Sequence, residues 1–297
     1  MKISKNLKSA ENYIKSNVVS DDVIFFNFQI SGALAVAIYI DSLSDKTIIG
    51  KQVIEPLQKR KITKLTDISK LVTLPETQVL SNYSDAINKI ILGDAVIFIN
   101  GYDKAISVAS KKPSTRAVTE PPTSSILKGP REGFVENIQT NISLVRQRLK
   151  TPSLAVEKLI VGKQSQTTIS LVYLSSIAND KLVKTIRDKI NKINVDGIID
   201  SSYIIKCISD RKTSMFKQMG TTEKPDIFSA KLLEGRVGII VDGSPIALTA
   251  PFIFLEDFQS SEDYYINAYR ANFARILRIL AVILSILLPA FFVAAQL

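Results

Sequence analysis

The chain has 297 residues, of which 46% are hydrophobic, and a formal net charge of +10. It contains no histidine, no tryptophan and a single cysteine. These counts exclude a serine or cysteine nucleophile activated by imidazole, a histidine-ligated zinc or iron centre, and an intramolecular disulfide.

The N-terminal region is predicted to stay in the cytosol. Its basic residues, Lys2, Lys5 and Lys8, are not followed by the apolar stretch of a secretory signal. The length suits two modest hydrophobic cores, and residues 1–110 are predicted to form the first of two subdomains.

An internal repeat defines the predicted fold. Residues 37–45 align with residues 171–179 as strand, loop and helix start, and residues 86–101 match residues 230–243 as helix, strand and turn. We therefore predict an α/β fold of two related subdomains, each a small mixed β-sheet with packed helices. The glycines after the repeated helices are predicted C-caps, and the dipeptides after the repeated strands favour type I′ hairpin turns: Gly93, Gly235, Asn100-Gly101 and Asp242-Gly243.

A linker is predicted at residues 111–131, which are rich in proline, serine and threonine. The densest local excess of positive charge falls there, at Lys111, Lys112, Arg116, Lys128 and Arg131. No aromatic residues alternate with these cations as stacking on bases would require. The charge therefore favours an anionic lipid surface over a nucleic acid.

Arg131 and Glu132 lie in the motif Gly-Pro-Arg-Glu-Gly-Phe of residues 129–134, directly before a helical pattern. Its backbone N–H groups could bind an anion, or the motif could be a rigid elbow between the subdomains. The helical pattern ends at Thr151-Pro152 with cations, among them Arg146, near its C-terminus, and leads into a second subdomain over residues 132–258.

Asp196 and Asp200 form the other candidate binding pair. Two carboxylates so close in sequence suit acid/base chemistry or a cation, but a glycine turn with Asp200 capping the next helix explains them equally well. Cys207, in the apolar run that follows, is predicted to be a small buried core residue.

A juxtamembrane helix is predicted over residues 259–278, with Ser261 as its N-cap and Asp263 in its first turn. Its apolar face and its cations define the membrane-proximal residues that we expect to matter: Tyr265, Tyr269, Arg270, Arg275 and Arg278. The tyrosines suit headgroup depth at a bilayer, although packing of that face against the second subdomain is an equal alternative.

Residues 279–297 carry no charge and are long enough to cross a hydrocarbon core, so they are predicted to form a transmembrane helix rather than a buried core helix. The cations before this segment place the preceding region on the cytosolic side. We also expect the chain to be the front portion of a longer polytopic protein.

Four motifs in order resemble the A subunit family of spore germination receptors, the GerA-like proteins. They occupy residues 129–141, 195–200, 232–238 and 258–265. The resemblance implies a receptor in the inner membrane of a bacterial spore that responds to small nutrient germinants. It also implies a transporter-like B subunit and a lipoprotein C subunit as partners, contact with membrane lipid, and a homo-oligomer.

The leading hypothesis from the sequence is an A subunit whose cytosolic region couples germinant sensing to a membrane ion-release assembly, with the germinant bound by this subunit or through its partner. No catalytic residue, metal or cofactor is expected. Two alternatives stay open: an accessory subunit of the dipicolinate channel similar to stage V sporulation protein AF, or a membrane-tethered phosphate-binding enzyme acting through Asp196, Asp200 and Arg131.

Overall fold

The computed structural model describes residues 1–59, 76–112, 130–210, 214, 216–258, 263, 265 and 267–296. The elements of the first half are α1 (Leu7–Asn17), β1 (Val23–Ile30), β2 (Ala33–Ile40), α2 (residues 46–59, with a π-helical centre Ile49–Ile54), β3 (Thr77–Leu80), α3 (Tyr83–Ile91), β4 (Ala95–Ile99) and β5 (Ala105–Val108). Most of the predicted linker, residues 113–129, lies outside the described residues.

The second half repeats this order of elements, with α6 (Ser201–Ile208) as an additional described helix before the third strand. It comprises α4 (Ile138–Arg148), β6 (Leu154–Val161), β7 (Thr167–Leu174), α5 (Asp180–Asn191), α6 (Ser201–Ile208), β8 (Gly220–Thr222), α7 (Pro225–Leu233), β9 (Val237–Val241), β10 (Ala247–Ala250), a 3₁₀ turn (Phe254–Phe258) and α8 (Ala268–Gln296). The repeated segments found in the sequence correspond to β2 and β7, to α3 and α7, and to β4 and β9.

Each half contains one five-stranded sheet, ordered β1-β2-β4-β5-β3 and β6-β7-β9-β10-β8. The identical order confirms the prediction of two related α/β subdomains. Every described strand pair is antiparallel, so the sheets are antiparallel rather than mixed. In the sequence, the edge strand β3 comes between the neighbouring central strands β2 and β4, and β8 comes between β7 and β9. Because the chain passes through this additional strand, the second central strand of each pair runs antiparallel to the first.

Helices cover both faces of each sheet, which explains the continuous apolar runs of the central strands β2, β4 and β9. The first sheet packs against α1 and α3 on one face and α2 on the other. The second packs against α4 and α7 on one face and α5 and α6 on the other. Gly238 in β9 must lack a side chain, since a Cβ there would overlap the ring of Phe228.

The two turn dipeptides of the repeat do not form type I′ turns, and that prediction was wrong. Gly101 and Gly243 have positive φ, but the only non-glycine residues with positive φ in the described chain are Ser31 and Gln166. The Asn100 and Asp242 side chains instead accept hydrogen bonds from the first N–H of the leading helices, Leu7 N at 3.3 Å and Ile138 N at 3.2 Å. The dipeptides therefore anchor α1 and α4 to their sheets.

Two further predictions need correction. Cys207 is exposed, because α6 buries Ile204 and Ile208 on its inward face and Cys207 lies at the flank of that face. The predicted juxtamembrane and transmembrane segments form one helix, α8, which begins at Ala268, so Asp263 is outside its first turn. Ser261 lies outside the described residues.

The helix α8 has the length and composition of a membrane span. Within the described residues it is the one such helix, with a mean hydropathy of 2.6 over its most apolar window, none of which is buried within the chain. The exposure contradicts the alternative of a buried core helix. Ala271, near the start of α8, is the only buried residue of this helix.

Candidate functional site

Arg131 and Glu132 lie at the surface, where an extended segment enters the second subdomain. Glu132 forms an ion pair of 2.5 Å with Arg148 of α4. The next residues turn inward: Phe134 N donates to Glu223 O at 2.7 Å, and the Phe134 ring meets Phe228 edge-on. This geometry fits the elbow interpretation, with the motif fastened to α4 and α7.

Asp196 and Asp200 have separate structural partners. The backbone oxygen of Asp196 accepts from Gln164 N at 2.8 Å, which holds the turn between β6 and β7. Asp200 caps α6, accepting from Ser202 N at 3.0 Å and Ser244 Oγ at 2.5 Å. In the part of the chain that is described, no three histidine, cysteine or acidic residues cluster as a metal site.

The Asp200 cap should make stability depend on pH. Partial burial opposes ionisation, but the hydrogen bonds from Ser244 and the start of α6 lower the pKa of Asp200 from 3.8 to about 2. Because the pKa of Asp200 is lower in the folded state, its ionised carboxylate contributes fully to folding stability above its ordinary pKa. This stabilisation is lost as the pH falls from about 4 to about 2.

We expect Asp200→Ala to cost about 1 kcal/mol at neutral pH, because it removes the cap. Asp200→Asn should cost less, since its amide oxygen can still cap, and should lose less stability than the wild type as the pH falls from about 4 to about 2. Urea unfolding of residues 1–258 at neutral and acidic pH measures both effects. Equal acid sensitivity of wild type and Asp200→Asn would refute this assignment.

A polar cavity of about 360 Å³ opens beside the edge strand β3 of the first subdomain. Its lining includes Gln78, Lys89, Asp94 and Ser107. Asp94 Oδ1 is buried without a hydrogen-bond partner among the described residues, and Lys89 Nζ lies 3.5 Å from Asp94 Oδ2. None of the residues predicted from the sequence lines this cavity, whose volume is at the low end for small-molecule sites.

The two subdomains are joined by a buried ion pair that sequence analysis missed. Arg146 of α4 donates to Asp22 of the first subdomain through Nε and Nη2, both at 2.6 Å. The side chains are 1% and 0% exposed. Arg146 Nη2 also donates to Ser20 Oγ at 2.9 Å. This two-pronged geometry makes the pair both strong and directional.

The segment that contains Asp22 also covers an open edge of the second sheet. Asp21 N donates to Val156 O at 2.9 Å, Val156 N donates to Ser20 Oγ at 2.9 Å, and Lys158 N donates to Asp21 Oδ2 at 2.9 Å. Val156 and Lys158 belong to β6, which is an edge strand of the second sheet. Covering an exposed strand edge in this way stabilises the contact and blocks pairing with other chains.

A second ionic cluster holds the 3₁₀ turn that precedes the apolar helix. The Glu256 carboxylate lies 2.6 Å from Lys231 Nζ, contacts the Arg236 guanidinium, and accepts from Ile253 N at 2.8 Å. Burial raises the pKa of Glu256, but the bonds from Lys231, Ile253 and Arg236 outweigh it and lower the pKa overall. The ionised Glu256 carboxylate therefore fixes the 3₁₀ turn to Lys231 of α7 and to Arg236, which directly precedes β9.

Asp263, which lies between the 3₁₀ turn and α8 in the chain, pairs with two arginines of α8. Its fully buried side chain pairs with Arg278 at 2.8 Å and with Arg275 at 3.3 Å. Arg278 Nη1 also donates to Phe258 O at 3.1 Å, at the end of the 3₁₀ turn. We define the junction as Asp263, Arg275, Arg278 and Phe258.

The other predicted membrane-proximal residues point elsewhere. The Tyr265 hydroxyl donates to Asp226 of α7, and burial together with this bond raises the pKa of Tyr265. Tyr269 is 86% exposed, and Arg270 is exposed too. Phe273 and Ile276 are also exposed, so the apolar face of α8 is not packed against the second subdomain.

Comparisons with known proteins bear on the whole chain. The family model described as Bacillus/Clostridium GerA spore germination protein matches residues 10–297. Spore germination protein KA of Bacillus subtilis (strain 168) is 36% identical over 99% of this chain and 55% of its own length. Spore germination protein GerLA of Bacillus cereus is 34% identical over 86% of this chain and 53% of its own length.

The fold has a solved counterpart. The N-terminal domain of the A subunit of the Bacillus megaterium spore germinant receptor GerK3 matches with a TM-score of 0.66 and 28% identity, covering 86% of this chain and 98% of that one. The present chain spans about half the length of the curated relatives it matches. The similarity therefore concerns the two-subdomain region and the apolar helix α8.

Proposed function

The chain belongs to the GerA family of spore germination proteins, and we propose that it is the A subunit of a nutrient germinant receptor whose two subdomains pass a signal into the membrane through α8. Membership supports a germinant receptor A subunit-like protein. The coupling route is the proposal.

The junction carries this proposal. The buried Asp263 pairs with Arg275 and Arg278, the last cations before the apolar part of α8, and Arg278 also donates to Phe258 O at the end of the second subdomain. A change in packing of the second subdomain would therefore move or release the helix that enters the bilayer. This is a two-state element of the kind through which ligands shift populations.

The same proposal covers location and organisation. The cations at Arg270, Arg275 and Arg278 support a cytosolic position for the subdomains at the spore inner membrane. We assign residues 1–110 and 132–258 to the two subdomains, with 111–131 as linker. We further propose a B subunit and a lipoprotein C subunit as partners, and a germinant that binds this subunit or its partner.

No catalysis is part of the proposal: the Asp200 carboxylate caps α6, and Asp196 contributes its backbone oxygen to the β6–β7 turn. The test is germination of spores lacking the gene, across amino acids, sugars and salts, with and without complementation. We expect a lost response to particular nutrients that complementation restores. An unchanged nutrient response with slowed dipicolinate release would instead place the protein with the accessory channel subunits.

A further inference from the structure

An exposed aromatic patch lies on the second subdomain beside the junction. It consists of Phe216, Ile253, Phe254 and Leu255, whose exposed fractions are 71%, 49%, 56% and 57%. The Phe216 and Phe254 rings meet edge-on with centroids 6.0 Å apart, which joins two separate loops into one surface. Contiguous exposed apolar surface of this kind is typical of a binding face.

The position of the patch relative to α8 indicates what covers it. The Phe254 ring lies 5.4 Å from the Phe258 ring, and Phe258 O accepts a hydrogen bond from Arg278. Arg278 is the last charged residue of α8, and the uncharged run begins at the next residue. The patch therefore lies at the level where α8 enters the hydrocarbon core.

The composition of the patch and its margin suits a lipid interface, because the basic side chain of Lys217 beside it is neutralised by an ion pair. Lys217 lies 5.7 Å from the centre of the Phe252 ring and 2.8 Å from Asp257, beside the patch. Exposed aromatic and aliphatic side chains at the boundary of the bilayer are the composition of interfacial membrane contacts.

We propose that the aromatic patch inserts into the cytosolic interface of the same bilayer that α8 spans. The second subdomain then has two membrane contacts, the helix and the patch. With the patch seated, the junction is held against the bilayer, so the subdomain and the helix move together. This goes beyond the proposed receptor role, and a protein partner on the patch is the competing occupant.

The absence of tryptophan from the sequence makes a direct test possible. Residues 1–297 would be placed in lipid nanodiscs with a single tryptophan at Phe254→Trp, and lipids brominated at shallow or deep positions would act as quenchers. Phe26→Trp, at an exposed position in β1 of the first subdomain, is the negative control. Phe291→Trp in α8 is the positive control.

We expect shallow bromines to cause about a twofold loss of Phe254→Trp emission and no loss from Phe26→Trp. Phe216→Trp should behave like Phe254→Trp, which guards against a folding defect in one variant. An unquenched Phe254→Trp beside a quenched Phe291→Trp would overturn the proposal while leaving the membrane helix intact. Quenching that disappears once the partner subunits are assembled in the same bilayer would also overturn it, and would assign the patch to a protein contact.

Discussion

Replacing Asp22 with alanine is expected to destabilise the two-subdomain region by about 3–5 kcal/mol, because it leaves the guanidinium of Arg146 buried without its counter-charge. Among the described residues, the remaining hydrogen-bond partners of Arg146 are Ser20 Oγ at 2.9 Å and Leu154 O at 3.4 Å. Neither carries a charge. A loss of this size is a large share of the total stability of an ordinary domain.

Urea unfolding of residues 1–258 measures this effect, and the solved N-terminal domain of the GerK3 A subunit is a precedent for such a fragment. Glu132→Ala is the matched control, since it breaks the exposed ion pair of Arg148 on the same helix. That change should cost no more than about 1 kcal/mol. Similar costs for the two variants would contradict the importance of burial.

The double variant Asp22→Ala with Arg146→Met separates the pair from its surroundings. Removing both charges avoids an isolated buried ion, so the double variant should be more stable than Asp22→Ala alone. If the double variant is less stable than the wild type by the sum of the losses from Asp22→Ala and Arg146→Met alone, the two residues do not act as a pair.

The second large effect is expected from Asp263→Ala, which should detach α8 from the second subdomain. Asp263 accepts from both Arg275 and Arg278 while its own side chain is fully buried. The hydrogen bonds to charged groups that it provides are worth about 1.5–3 kcal/mol each. The arginines are 32% and 38% exposed, so water compensates part of that loss.

Spin labels report the detachment directly. The single cysteine, Cys207, is exposed on α6, and a second label can be placed at the exposed position Tyr269→Cys on α8. In nanodiscs the distance distribution between them should be narrow in the parent chain and clearly broader with Asp263→Ala. Asp257→Ala, which breaks the exposed pair with Lys217, should leave the distribution narrow.

Much of the fold could be predicted from the sequence because its signals are local or periodic. The apolar runs of β4 and β9, and the glycines Gly93 and Gly235 after the preceding helices, have the same order in both halves. The left-handed backbone at both glycines agrees with the predicted C-caps. The Asp200 cap likewise needs only its neighbours in sequence.

The ionic contacts could not be predicted, because their partners are far apart in the chain. Asp22 and Arg146 are separated by 124 positions, and a cation near a helix C-terminus is equally expected at the surface. Asp263 was predicted in the first turn of a helix, because acidic residues are favourable there. Only the folded chain shows that it pairs with cations at residues 275 and 278.

The turn type failed for a related reason. Asn100-Gly101 is a strong local signal for a type I′ turn, but the Asn100 side chain is used by the first N–H of α1, more than ninety positions earlier. The tertiary contact therefore outweighs the local preference. Asp242 repeats the arrangement with α4, so the duplication preserves the anchor rather than the turn.

The most direct test of the account is nutrient germination of spores whose only copy of this gene carries Asp263→Ala, at protein levels in the membrane matched to wild type. Asp257→Ala spores are the control, and the fall in optical density after nutrient addition is the measurement. We predict that Asp263→Ala abolishes the response while Asp257→Ala germinates like wild type. A normal response from Asp263→Ala spores would contradict the proposal that the junction couples the subdomains to the membrane helix.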